Sequence, residues 1–113
     1  MPDIKPKVFQ VDIPAKLRPE HHLFWEVEYT ILQVFIVATH DEDAARRSWV
    51  MAQSLNYEVT TGPFKVFEVL DPLPPEASHL LRIHSFIAKT AGVSFNLQHA
   101  EIGSPLPEGL KAG

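Results

Sequence analysis

Residues 23–38, Leu-Phe-Trp-Glu-Val-Glu-Tyr-Thr-Ile-Leu-Gln-Val-Phe-Ile-Val-Ala, hold neither Gly nor Pro and are crowded with β-branched and aromatic side chains. Such residues fit a pleated sheet better than a helix, so this stretch predicts a long strand. Its two halves differ. Trp25, Val27, Tyr29 and Ile31 alternate with Glu26, Glu28 and Thr30, which gives one buried and one wet face. From Leu32 onward both rows turn apolar, with Leu32, Val34, Ile36 and Ala38 in one and Phe35 and Val37 in the other. A strand apolar on both faces requires cover on both. At about 3.3 Å per residue the whole stretch would span roughly 50 Å, so a bend or bulge is expected near Gln33, the polar break in the odd row.

The chain has 113 residues, 45% hydrophobic and 21% charged, the proportions of one ordinary soluble domain. A net charge of −4 with scattered Lys and Arg argues against a nucleic-acid binder, which carries a basic face. With no Cys, disulfides, thiolate metal sites and cysteine nucleophiles are excluded. The residues after Met1 carry no apolar run of the signal-peptide kind, and the central run is broken by Glu26, Glu28 and Gln33. The expectation is a cytoplasmic protein with no membrane partner.

Taken in order, residues 1–6 read as loose. Phe9, Val11 and Ile13 alternate with Gln10 and Asp12, which predicts a first strand over 7–13. Residues 14–22 read as a loop held by Pro14 and Pro19. After the long strand, Thr39-His40-Asp41-Glu42 fits a capping box opening a helix to about Leu55. The expected core stripe is Ala45, Trp49 and Ala52 with Ser48 and Leu55 beside it, and Glu42–Arg46 and Asp43–Arg47 are spaced as ion pairs. Residues 57–61 and 64–70 read as strands around a Gly62-Pro63 turn. A second helix is expected over 76–91, with a broad apolar face including Leu80, Leu81, Ile83, His84, Ile87 and Ala88, and Gly92 as its C-terminal cap. Residues 93–98 alternate as a last strand.

The order β-β-α-β-β-α-β predicts an α+β fold: a ferredoxin-like plait, β-α-β-β-α-β, with an additional N-terminal strand and two helices on one face of an antiparallel sheet. The resemblance is to an architecture and carries no family motif. The domain is drawn over 1–103, with a Pro/Gly-rich flexible tail over 104–113. If the odd row lies under both helices, Leu32, Val34 and Ile36 point to an open sheet face too apolar for a monomer. A second copy is the expected cover, with the first strand or the tail as the alternative.

No nucleophile elbow, P-loop, dinucleotide fingerprint, paired zinc-helix motif or RNA-binding sheet motif is present. The acidic run Asp41-Glu42-Asp43 is explained by the dipole at a helix start. His21-His22 and His79/His84 lack chelating spacing, and a metal site would need His99 to converge with distant residues. Neither a metal nor a cofactor is implied. His84 sits among apolar neighbours, and its ordinary reading is a core histidine with one hydrogen bond. Its catalytic reading makes it a proton-transfer group, with Tyr57 or Glu68 as candidate neighbours.

The expected function is that of a small non-enzymatic binding module. It would act as a homodimer and could also bind another protein, through Trp25, Tyr29, Leu32, Val34 and Ile36. The alternative is a small dimeric α+β-barrel enzyme or carrier with an apolar pocket near His84. An acidic decoy of another macromolecule has little support from so mild a charge.

Overall fold

The structure is a computed structural model that describes residues 5–59, 64–107 and 110. It is an α+β fold built on a five-stranded antiparallel sheet with two helices. Seven elements follow one another: β1 (Lys7–Leu17), β2 (Val27–Ala38), α1 (Asp41–Gln53), β3 (Tyr57–Val59), β4 (Lys65–Glu68), α2 (His79–Ala91) and β5 (Val93–Glu101). The expected ends at residues 1–4, the Gly62-Pro63 turn and most of the last residues of the tail lie outside the described residues.

The long apolar stretch is a strand, but it starts at Val27; residues 23–26 form turns closed by Glu26 and Val27 N–H donating to Leu23 C=O. Its irregularity lies between Val27 and Tyr29, not at Gln33. Gln33 needs no bend because its amide oxygen accepts from Asn96 across the strand pair at 2.7 Å. β1 runs four residues past the expected end, through Pro14. The outer side of β1 pairs with β4 up to Asp12 and with β3 from Ala15. Pro14 falls in the gap between them, where no partner strand requires an N–H on that side.

β1 pairs along most of its length with β2, and the sheet order is β3-β1-β2-β5, with β4 also on the outer edge of β1. The N-terminal strand is therefore central. It takes the place beside β2 that β4 would hold in a split βαβ plait. β5 pairs with β2 alone and forms the opposite edge.

The expectation of two helices on one face is corrected by the packing. Phe9, Val11 and Ile13 stand opposite Ile36, Val34 and Leu32, so they share a face, and they cluster with Ala44 and Ala52 of α1. Val8 and Phe35 point the other way and cluster with Ala88 of α2, with Val37 and Leu81 against them. The sheet is sandwiched, one helix to each face. The physical reason is that β2 carries apolar residues in both rows from Leu32 onward, and each row needs its own cover.

Local chemistry sets the helix limits. His40, not Thr39, is the N-cap of α1, and no side chain caps it; Asp41 accepts the N–H of Glu42 instead. The buried positions are Ala44, Ser48 and Ala52; Ser48 and Ala52 are as expected, Ala45 and Trp49 are half-buried, and Leu55 is exposed. Asp43 takes both arginines, at 2.7 Å from Arg46 and 3.4 Å from Arg47. α2 opens later than expected because Ser78 Oγ accepts the N–H of Leu81. Gly92 closes it in the left-handed region at φ 91°, with its N–H donating to Ala88 C=O at 2.7 Å, as expected for a glycine C-cap.

Candidate interaction surface

Leu32, Val34 and Ile36 are 0% exposed within a single chain. They lie between β1, β5 and α1 and offer no surface to another molecule. The two other residues expected at an interface stand apart from them. Trp25 is 85% exposed in the turn before β2, with its ring edge-on to Phe24 at 4.9 Å. Tyr29 is half-buried opposite Ala100, beside the irregularity.

The residues weighed for catalysis do not converge. His84 lies on the α2 side of the sheet, stacked on Phe35 at 5.1 Å, and its Nδ1 is hydrogen-bonded to Ser94 Oγ at 2.6 Å. Tyr57 pairs with Leu17 on the α1 side and is buried against the His21 ring. Glu68 also belongs to the α1 side, by its pairing with Phe9, and is ion-paired to Lys7 at 2.9 Å. The sheet separates His84 from the other two. Clefts of about 420, 330 and 600 Å3 border the outer edge of β1 and both helices, and none of the three is lined by His84.

A histidine cluster forms that sequence spacing did not reveal. His21 stacks on His22 at 4.8 Å, and His99 bonds through Nδ1 to the buried Thr30 hydroxyl at 2.8 Å. Burial holds the His21 imidazole below its ordinary 6.5, with repulsion by His22 and His99 adding to the effect. The Nδ1 of His21 accepts the N–H of Leu23, which occupies one ring nitrogen. Among the described residues no group of three His, Cys, Asp or Glu side chains is arranged to hold a metal ion.

Four exposed large apolar residues lie on one helix, α2. One side of that helix buries Leu81, Ser85 and Ala88 with His84. Leu80, Ile83, Phe86 and Ile87 are exposed, Phe86 to 68%. At about 100° per residue Leu80, Ile87 and Ile83 form a stripe beside the buried side, and Phe86 lies farther round, past Thr90 and His79, facing away from the sheet. The direction of that stripe follows from its neighbours. Ser85 lines the cleft over Val8 and Val37, and His84 reaches Ser94 on β5. Continuing round the helix from Ser85 through Ala88 to His84, the next large residues are Leu80 and Ile87, which therefore lie on the β5 flank of the helix. The signal was legible in the width of the apolar face: from Ile83 round to Leu81 it covers about 160°, more than one sheet contact conceals.

Comparison with protein-family models, with curated proteins and with solved structures finds no match to this chain. Among the described residues no helix is long and apolar enough to cross a membrane.

Proposed function

We propose that this chain is a small non-enzymatic binding module that works as a homodimer, and that its contact surface is the flank formed by α2 and β5. The observation that carries the reading is the exposed stripe of Leu80, Ile83 and Ile87. Contiguous apolar surface of this kind is characteristic of interaction sites, whereas single exposed apolar residues are ordinary. The homodimer expected from the sequence is retained and the surface is moved. The face holding Val34 is filled by α1, and the surplus hydrocarbon lies on the outer side of α2.

The reading of the fold goes with it. The architecture is treated as a departure from the ferredoxin-like plait, in which a hairpin strand is inserted beside β2 and each face receives one helix. The enzyme or carrier alternative has less support, because His84 is stacked and hydrogen-bonded and Tyr57 and Glu68 lie across the sheet from it.

The test is the mass of the 12.7 kDa chain in solution, by light scattering from about 1 to about 100 µM, since a dimer gains population by mass action. A mass of twice the chain, halved in a folded Ile83→Asp variant, is expected. A monomer at the highest concentration ends the homodimer reading.

A further inference from the structure

We infer that the second copy docks edge to edge on β5, so that two sheets join into one continuous antiparallel sheet about a two-fold axis at Leu97, with the α2 helices packed side by side over the seam. The inference rests on the homodimer reading and specifies how the partner sits.

The hydrogen-bond parity of β5 makes its outer edge a template. Val37 N–H donates to Gly92 C=O at 3.0 Å, and the register then pairs Phe35 with Ser94 and Gln33 with Asn96. In an antiparallel ladder hydrogen-bonded pairs alternate with non-bonded ones. Ser94, Asn96 and Gln98 therefore direct their backbone groups at β2. Val93, Phe95, Leu97 and His99 direct theirs outward, and among the described residues no strand or backbone bond meets them.

Edge strands in monomers are commonly protected by lysine, proline or a bulge. The outer run of β5 from Val93 to Ala100 contains no charged residue and no proline, and the register shift of its pairing lies beyond it, at Glu101. An antiparallel strand is complementary to itself under a two-fold axis. The register that pairs all nine residues of β5 sets the axis at Leu97, with Phe95 opposite His99 of the second copy.

Side chains on both faces of the edge agree with this seam. Leu97 is 43% exposed on the α1 side and would meet its own copy. Of the exposed apolar residues of α2, Leu80 and Ile87 lie on the β5 flank of the helix, beside His84, and can meet their copies across the seam. The charged residues of that helix, Arg82 and Lys89, lie on the side opposite Leu80 and Ile87; Arg82 is held by the carbonyls of Pro74 and Pro75, and Lys89 is paired with Asp71. No like charges are brought together. A nine-residue strand edge is about 30 Å long, and sheet plus helix stand roughly 20 Å tall, giving on the order of 600 Å2 per copy, or about 1,200 Å2 in total, the lower end of stable interfaces.

Because the chain has no cysteine, one introduced thiol reports on one position. Leu97→Cys, under mild oxidation, is expected to form a disulfide dimer, since hydrogen-bonded antiparallel partners place their Cα atoms about 5.5 Å apart, within disulfide range. Val50→Cys, on the outer side of α1, is expected to remain monomeric on a denaturing gel. Circular dichroism confirms that each variant is folded. A wild-type dimer whose folded Leu97→Cys variant does not cross-link overturns the edge seam and leaves the homodimer standing. A wild-type monomer overturns both.

Discussion

α1 and α2 are both thirteen residues long and lie on opposite faces of one sheet, yet they end in different situations. α1 buries small residues, Ala44, Ser48 and Ala52, so it sits close to the sheet and encloses the larger cluster. Its outer side is largely charged, with Asp43, Arg46 and Arg47 paired among themselves. α2 covers the smaller cluster around Phe35 and carries apolar residues outward. The difference teaches where to look for function. One helix completes the domain, and the other completes it and still has apolar surface to spare.

The largest effect should come from the α1 side. Val34→Asp would bury a carboxylate with no cation beside it, a cost above about 4 kcal/mol that should leave the chain unfolded by circular dichroism. A folded, stable Val34→Asp protein would mean that α1 does not enclose that face. On the other side Phe35→Ala should cost about 3–5 kcal/mol in urea unfolding, since it removes the central side chain of the α2 cluster and the partner of the His84 ring.

Surface changes should separate the helices without unfolding either. Ile83→Asp should halve the mass in solution, whereas Val50→Asp, at a 54% exposed site on α1, should leave the mass unchanged and shift stability by no more than about 0.5 kcal/mol. Equal behaviour of the two would erase the contrast. The caps give a smaller contrast. Ser78→Ala removes the hydroxyl that accepts from Leu81 and should cost about 1 kcal/mol, while His40→Ser supplies α1 with a cap it lacks and should gain several tenths, to about 1 kcal/mol.

The smallest effect is a pH dependence confined to the α1 side. His21 is held below 6.5, so the unfolded chain binds more protons than the folded one as pH falls through that value. Stability should therefore rise with pH in this window and decline as pH is lowered below about 6.5. Thermal melts of wild type and His21→Gln should diverge there, with the variant the flatter of the two.

Much of the fold was legible because periodicity records burial. β2, both helices, Gly92 at the end of α2, and β5 all follow from local pattern and local chemistry, whereas the sequence pattern misses the Ser78 cap. The sheet order was not, because nothing in a strand's own residues names its neighbour. β1, expected as an added strand, is central. The two-sided apolarity of β2 is met by a helix on each face, which satisfies it as well as a companion molecule does. The interface candidates assume the companion, whereas Leu32, Val34 and Ile36 lie in the core. Leu80, Ile83 and Ile87 belong to a face of α2 too wide to bury, which the sequence reading places in the interior, and Phe86 falls outside that face. The His21, His22 and His99 cluster depends on long-range pairing and has no sequence signature.

The central claim is that the outer edge of β5 is covered in solution, and backbone amide exchange reads it directly. In a dimer joined along that edge, the amides of Phe95, Leu97 and His99 should be as slow as those of Ser94, Asn96 and Gln98, and should lose that protection on dilution. An alternating record at every concentration, slow at the even positions and fast at the odd ones, would show that the edge is bare.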